Sequence, residues 1–521
     1  MSIARRFFAV SFLTVISRVL GIFREAVLSH FLGAGAEMDA FLIAFKFPSF
    51  FRKCFAEGGF QSLFIPYYID FTIGKKEKFA FIFSSHIFTI LFYAMLFLTI
   101  FVFIFVEEFV AIMAPGFLKD PEKFHLAVNF TKIVFPNVAF VGLSTIYTGI
   151  MMARNKFLPF SLSPILVNII LILSIIVGNN TISPGYGISI GVLSASIIQL
   201  IFLHACVKSM GIRTPALTKL RFSGLKPRIS KRTKEFLKKL TPVIAGAGVS
   251  QLNVFVDTFF GSFLGEGTVS LIYFADRFIQ FPLALFGISM ATVILPEISS
   301  IFSSKNHDRG KVKKIQEEMV IFTLRMAIPS TVGLMAIAYP IVDVLYGHGK
   351  FTESSVYQTS VIIQIFAIGV PAYVLAKIFA SVLFAQKDSK TPVLAAVISV
   401  ISNIILNAML IRSLGIIGLS VSTSIAGVIN AYVMYKKTKE WFLFDMKTFM
   451  SLAKITVSSI TMLFVVNITK RFIHNEILFL IFGILLGIIT YFIALLIFKD
   501  KWSRGIAKKM IVVLLRLRTR S

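Results

Sequence analysis

Fourteen stretches of roughly 20 apolar residues, parted by short loops, constrain this chain more than any other feature. A stretch of that length crosses the hydrocarbon core of a bilayer once as a helix, and in that core each backbone amide must bond within its own segment. The first stretch follows Arg5 and Arg6; the others fall at about 39–64, 80–106, 126–152, 158–178, 186–207, 240–264, 269–300, 319–345, 356–385, 393–411, 416–435, 451–468 and 477–498. Apolar residues make up 56% of the 521 and charged residues 15%, so spans and short loops use up the length and leave no room for a soluble catalytic domain. The expected fold is an all-α polytopic membrane protein with 14 transmembrane helices. Arg18 and Arg24 interrupt the first stretch and no small-x-small cleavage site follows, which points to an uncleaved first span rather than a signal peptide. Cys54 and Cys206 sit far apart in apolar sequence and match neither a disulfide framework nor a zinc spacing.

The net charge of +28 would suggest nucleic acid in a soluble protein. Position argues otherwise. Of the 53 Lys and Arg, 37 fall at the termini and in the loops on the N-terminal side of the spans, 6 in loops on the other side and 10 within spans. Positive flanks are retained in the cytoplasm, so both termini are expected there. The charge then serves orientation and contact with anionic membrane lipids, with no nucleic acid partner expected.

The chain repeats itself. Phe31-Leu32-Gly33-Ala34-Gly35 recurs as Phe263-Leu264-Gly265-Glu266-Gly267, Phe64-Ile65-Pro66 meets Ile294-Leu295-Pro296, and Asn168-Ile169-Ile170-Leu171 meets Asn403-Ile404-Ile405-Leu406. Each copy holds six spans, an even number, so both enter the membrane from the same side and form parallel repeats about an axis along the membrane normal, an arrangement that transporters use. The expected organisation is an N-lobe over 1–207, a basic cytoplasmic linker over 208–239 and a C-lobe over 240–438. Two C-terminal helices over 439–498 belong to neither repeat, and a basic cytoplasmic tail over 499–521 follows them.

Ionisable residues within spans supply the candidate site. Arg18, Arg24 and Glu25 lie in the first span, Asp39, Lys46, Arg52, Lys53 and Glu57 in or at the ends of the second, and Asp276 and Arg277 in the eighth. Each such group costs at least about 2.5 to 3.5 kcal/mol deep in a bilayer unless it faces protein or water, so the cluster is expected to line a cavity. Cations outnumber acids there, and the planar fork of Arg suits phosphate oxygens, so an anionic ligand is expected. The competing reading is a set of internal ion pairs that fix packing, which fits Glu25 and Asp276, each beside an arginine. Arg325, Lys377 and Lys454 lie nearer predicted span ends and are expected to snorkel to the interface. Pro48, Gly58, Gly59 and Pro282 break helices close to these charges and are candidate hinges.

The same residues carry a close resemblance. Ser17-Arg18-Val19-Leu20-Gly21, Phe31 to Gly35, Asp39-Ala40-Phe41, Ala44-Phe45-Lys46 with Pro48, and Phe55-Ala56-Glu57-Gly58 resemble the signature of the MurJ/MviN family. Tyr273-Phe274-Ala275-Asp276-Arg277, Phe281-Pro282, Leu295-Pro296, and Tyr346-Gly347 to Gly349-Lys350-Phe351 resemble its later motifs, so the similarity runs along essentially the whole chain. The family comprises lipid II flippases of the multidrug/oligosaccharidyl-lipid/polysaccharide exporter superfamily. The resemblance implies a transporter of the bacterial inner membrane, not an enzyme, that moves undecaprenyl-pyrophosphate-linked peptidoglycan precursor from the cytoplasmic to the periplasmic leaflet by alternating access. It implies that Arg18, Arg24, Asp39, Arg52, Lys53, Glu57 and Arg277 form the substrate site, and that the last two helices form a groove for the lipid tail. Lipid II and anionic lipids are the expected partners, and a monomer the functional unit.

Two departures stand out: Ser49 replaces the family's usual Asn, and Lys53 its usual Arg. Some members bind sodium, and Asp257, Asn403, Asn407 and Thr423 match that pattern, with Asn407 in place of an acid. The only cofactor expected is therefore a coupling Na+, with hydrogen bonding between helices as the other reading of these four residues. An exporter of another polyprenyl-linked oligosaccharide, or of drugs, in the same superfamily is the nearest alternative. A membrane-embedded glycosyltransferase or lipid phosphatase is the alternative of another class, against which stands the lack of an H-E-x-x-H or Walker motif.

Overall fold

The computed structural model describes residues 3–55, 59–73, 77–213, 215, 230–249, 251–303, 309–439, 446–500 and 503–505. Glu57 and Gly58 of the expected site and hinge, most of the expected linker and the tail beyond Gly505 lie outside the described residues. Those described are nearly all helical, with no strand among them. The first half of the chain forms α1 (Ile3–Leu32), α2 (Ala36–Phe55), α3 (Gly59–Ile73), α4 (Glu77–Ile104), α5 (Val106–Met113), α6 (Pro121–Val134), α7 (Asn137–Ala153), α8 (Leu158–Thr181) and α9 (Pro184–Ser209). The second forms α10 (Lys231–Val249), α11 (Leu252–Gly261), α12 (Thr268–Pro282), α13 (Ser289–Ser303), α14 (Arg309–Tyr346), α15 (Glu353–Ala385), α16 (Lys390–Thr438), α17 (Met446–Phe472) and α18 (Glu476–Ile497).

Ten of the described helical segments are long and apolar enough to cross a membrane. The remaining spans of the sequence reading correspond to α1, the α2–α3 pair, the α10–α11 pair and the second half of α16, which is consistent with fourteen. The α16 range hides a reversal at Gly415, whose backbone is non-helical at φ 55° and ψ −131°. A Cβ on Gly418 would meet the carbonyl of Leu410, an approach that eight residues of straight helix, about 12 Å long, could not make. Other turns carry ordinary start signals. Asp120 accepts from the Lys123 amide at 3.1 Å ahead of Pro121, Ser183 caps α9 ahead of Pro184, and Asn475 caps α18.

Packing divides the chain into one unit of residues 1–270 with 349–352, and a second of 271–348 with 353–521. This boundary falls beyond the repeat boundary at 239/240, because α10 packs on α2, α3 and α4, and α11 on α5. The first unit has an aromatic core in which Phe60, Phe64, Phe83, Phe88 and Tyr147 surround Phe236 of α10 or its neighbours. The Tyr67 hydroxyl donates to Glu235 at 3.0 Å, and Lys239 pairs with the same carboxylate at 2.7 Å. These hydrogen bonds hold the exposed Glu235 carboxyl below its ordinary range.

In the second unit α13, α14, α15 and α16 share one core, and α17 and α18 pack on α14 through Ile455, Met462, Val466, Phe479 and Leu495. Pro282 is followed by a π-helical turn at Leu283–Ile288 that joins α12 to α13. Arg325 corrects the sequence reading. It does not snorkel: it is 7% exposed and its guanidinium donates to the equally buried Asp500 at 2.9 Å, while its carbonyl accepts from the Tyr491 hydroxyl at 2.7 Å. A carboxylate near the end of the chain, which the sequence reading assigned to the tail, supplies the partner that makes burial of the arginine tolerable.

Candidate functional site

Of the sequence-predicted charges, Arg24 and Glu25 on α1 meet as expected, as a direct ion pair between adjacent residues. The other Arg24 nitrogen, Nη1, donates to Oδ1 of Asn168 on α8 at 2.9 Å. The Asn168 amide in turn donates to the Ser17 carbonyl at 3.2 Å, so α8 is bonded to α1 at two points. The Arg24 side chain keeps 23% of its surface exposed, while Glu25 keeps only 5%. A guanidinium held in this way is a half-buried cation with a fixed plane, suited to a phosphate-type anion.

Arg18 is exposed on the same helix. Six residues of α-helix set it about 9 Å and roughly a third of a turn from Arg24, so the two extend one basic surface rather than sharing one face. At the other end of α2, Arg52 is exposed and Lys53 donates to Gln251, at the break between α10 and α11, at 3.1 Å. Both cations occupy the last turn of α2, where a helix C-terminus also favours positive charge.

Asp39 is placed differently from the sequence reading, which groups it with cavity-lining charges. It is 0% exposed. Its Oδ2 accepts from Lys123 at 2.6 Å and from the Gly267 amide at 2.8 Å, and its Oδ1 accepts from the Ser270 amide at 2.8 Å and the Ser270 hydroxyl at 2.6 Å. The carboxylate thus caps the N-terminus of α12 from α2, where orphan amides and the helix dipole favour an anion. Lys123 also lies 4.2 Å over the Phe117 ring. Glu266 returns the favour by accepting from Ala36, the first residue of α2, at 2.7 Å, and Glu37 accepts from Gly185 at the start of α9 at 3.0 Å.

Backbone joins the same junction. Lys350 donates to the His30 carbonyl at 2.9 Å, and Gly267 sits at φ +83°, where a Cβ would strike the Ala34 carbonyl. Only glycine fits that conformation and that approach. The glycine-bearing segments that revealed the repeat, 31–35 and 263–267, therefore mesh at the end of α1 remote from its N-terminus.

In the second unit, Arg277 lies 4.2 Å over the ring of Tyr273, one turn earlier on α12, and Asp276 bonds to Gln280. Asn403 and Asn407 are fully buried one turn apart on α16, and Thr423 donates to the Leu419 carbonyl at 3.0 Å. Asp257, the fourth residue of the predicted cation set, belongs to the first unit. Pro48 lies inside α2 and Gly59 begins α3.

Lys123 and the role of Asn168 escape the sequence reading. Lys123 reads as a loop charge ahead of an apolar run. Asn168 carries a signal that could have marked it, a lone amide amid the apolar core of α8, since polar groups there seek partners across helices.

The family model described as lipid II flippase MurJ matches residues 28–486. The probable lipid II flippase MurJ of Rickettsia prowazekii (strain Madrid E) is 34% identical over 435 residues, covering 84% of this chain and 83% of the relative. That of Rhizobium meliloti (strain 1021) is 33% identical over 440 residues, covering 84% and 80%. Among solved structures, a lipid II flippase MurJ in an inward closed conformation is similar at a TM-score of 0.79 and 32% identity, over 94% of this chain and 98% of that one. A multidrug resistance MATE family transporter of the MOP superfamily, in an inward-facing conformation, matches at a TM-score of 0.63 and 14% identity over 81% and 94%, a likeness of fold alone.

Proposed function

The chain belongs to the MurJ family of lipid II flippases, and we propose how its own residues carry out that transport. It is a multi-pass transporter of the bacterial inner membrane that moves lipid II between leaflets for peptidoglycan synthesis and makes no covalent change in it. The pyrophosphate is the part of the substrate with the highest charge density, and Arg24 is the group that receives it. The observation that carries this assignment is the Arg24 guanidinium, half-buried on α1 and held by Asn168 and Glu25. Arg18, Arg52, Lys53 and Glu57 add to the same first-lobe site, and Arg277 is a further substrate contact on α12. A bound anion shifts the access equilibrium only if one state holds it better, so these cations must be more complementary to it in one state than in the other.

Asp39 acts by holding α2 to Lys123 and to the start of α12, all within the first unit, rather than by contact with substrate. Pro48, Gly58, Gly59 and Pro282 absorb the bending, with the π-helical turn after Pro282 as the softest place. The apolar faces of α17 and α18 take the lipid tail. Asp257, Asn403, Asn407 and Thr423 would hold a sodium ion, which when bound supplies a gradient to bias the cycle. Both termini are cytoplasmic, and a monomer suffices. Anionic lipid meets the exposed side of α10, where Lys231, Arg232, Lys234 and Lys238 face out while Phe236 and Leu240 are buried.

The test replaces Arg24 by Ala or Lys in cells that depend on this protein. Arg24→Ala is expected to abolish lipid II transfer with the protein still in the membrane, and Arg24→Lys to recover little, because an ammonium lacks the bidentate fork. Full transfer in Arg24→Ala would overturn the assignment.

A further inference from the structure

Arg24 is held from two sides by groups of different character. Glu25 is an anion and neutralises the guanidinium as it orients it. Asn168 is neutral, 7% exposed, and comes from a different helix. Its amide can sit only one way round. The guanidinium has only donors and the Ser17 carbonyl only accepts, so the oxygen must face Arg24 at 2.9 Å and the nitrogen Ser17 at 3.2 Å. Ser17 lies two turns before Arg24 on α1, and long side chains on a helix lean toward its N-terminus. Asn168 thus ties the head of the Arg24 side chain to the backbone of the helix that carries it. The repeat shift places Asn403, a fully buried amide, at the corresponding position of α16.

We propose that Asn168 is a positioning residue for substrate capture: it fixes the plane of the Arg24 guanidinium for the pyrophosphate of lipid II without cancelling its charge. This rests on the reading that Arg24 contacts the pyrophosphate. A side chain locked before binding loses less freedom on binding, and an amide achieves the locking without setting a second negative charge, beside that of Glu25, against the ligand. A carboxylate at 168 would hold the arginine at least as firmly but would compete with the phosphate for it. The choice of amide is therefore what an anion site needs and what simple helix packing does not.

The experiment measures lipid II affinity and thermal unfolding of the purified full-length chain for the parent, Asn168→Leu, Asn168→Asp, Arg24→Lys, Arg24→Ala and the Asn168→Leu/Arg24→Lys pair. Asn168→Leu is expected to weaken lipid II binding roughly tenfold, the scale of one charge-assisted hydrogen bond. Asn168→Asp keeps the contact to Arg24 but sets its second oxygen against the Ser17 carbonyl, so it is expected to unfold somewhat below the parent and to bind lipid II more weakly than Asn168→Leu. The double variant should bind no more than about twofold worse than Arg24→Lys alone, since Asn168 acts through Arg24. Parental affinity in both Asn168 variants, or full additivity in the pair, overturns the proposal while leaving Arg24 in place. Parental affinity in Arg24→Ala overturns the underlying reading, and this proposal with it. Should Asn168→Leu not fold, the Asp variant decides alone: normal affinity would mean a packing role only.

Discussion

Asp39 and Lys123 show what a single buried charge does in this molecule. Each is nearly inaccessible, and the carboxylate meets four donors on three residues, Lys123 of α6 and Gly267 and Ser270 at the start of α12. Removing one partner of such a pair leaves the other charged and dry, at about 3 to 5 kcal/mol. Asp39→Asn is therefore expected to lower the unfolding temperature, and adding Lys123→Met to recover much of the loss; a double variant less stable than Asp39→Asn would contradict the pairing. The sequence marked Asp39 as costly, left Lys123 among the loop charges, and named a partner for neither. Asp39 and Lys123 are 84 positions apart, Arg24 and Asn168 144, and Arg325 and Asp500 175. Only the Arg24 and Glu25 pair, adjacent in the chain, could be read directly. In an apolar helix every rotation about the axis is nearly equivalent by hydropathy, so the pattern does not say which neighbour a polar group faces.

At the scale of elements, span positions were readable because length and apolarity alone decide them, and the described helices follow them closely. What length could not give was how a span is interrupted: α6 and α7 part at Phe135 and Pro136, and a π-helical turn separates α12 from α13. The repeated glycines read as turn punctuation, whereas Gly267 serves a backbone approach between two loops. Gly267→Ala must adopt a left-handed conformation at about 1 to 2 kcal/mol and also push the Ala34 carbonyl aside. With Cys54 and Cys206 replaced by Ser, a cysteine at Lys350 is expected to react faster with a membrane-impermeant thiol reagent added outside when Gly267→Ala is present. Unchanged reactivity would mean that the loops mesh without this glycine.

For the whole molecule, the repeat and the charge bias anticipated a two-lobe transporter with an added helix pair, and the family assignment agrees with the transporter class. Packing adds that α10 and α11 side with the first unit and that Arg325 and Asp500 bind the segment just after α18 to α14 in the second. That bond adds to the packing of α17 and α18 on α14 within the second unit. Arg325→Met and Asp500→Leu are each expected to destabilise the protein more than the two together, because either alone strands a buried charge; additive losses in thermal unfolding would show that the pair contributes little. We propose that lipid II crosses the membrane by way of Arg24. The most direct test reconstitutes the purified protein in vesicles holding lipid II and follows, over time, the fraction of lipid II open to a reagent confined to one side. The parent should expose lipid II that began in the shielded leaflet and Arg24→Ala should not, whereas equal exposure by both, or none by the parent, would contradict the account.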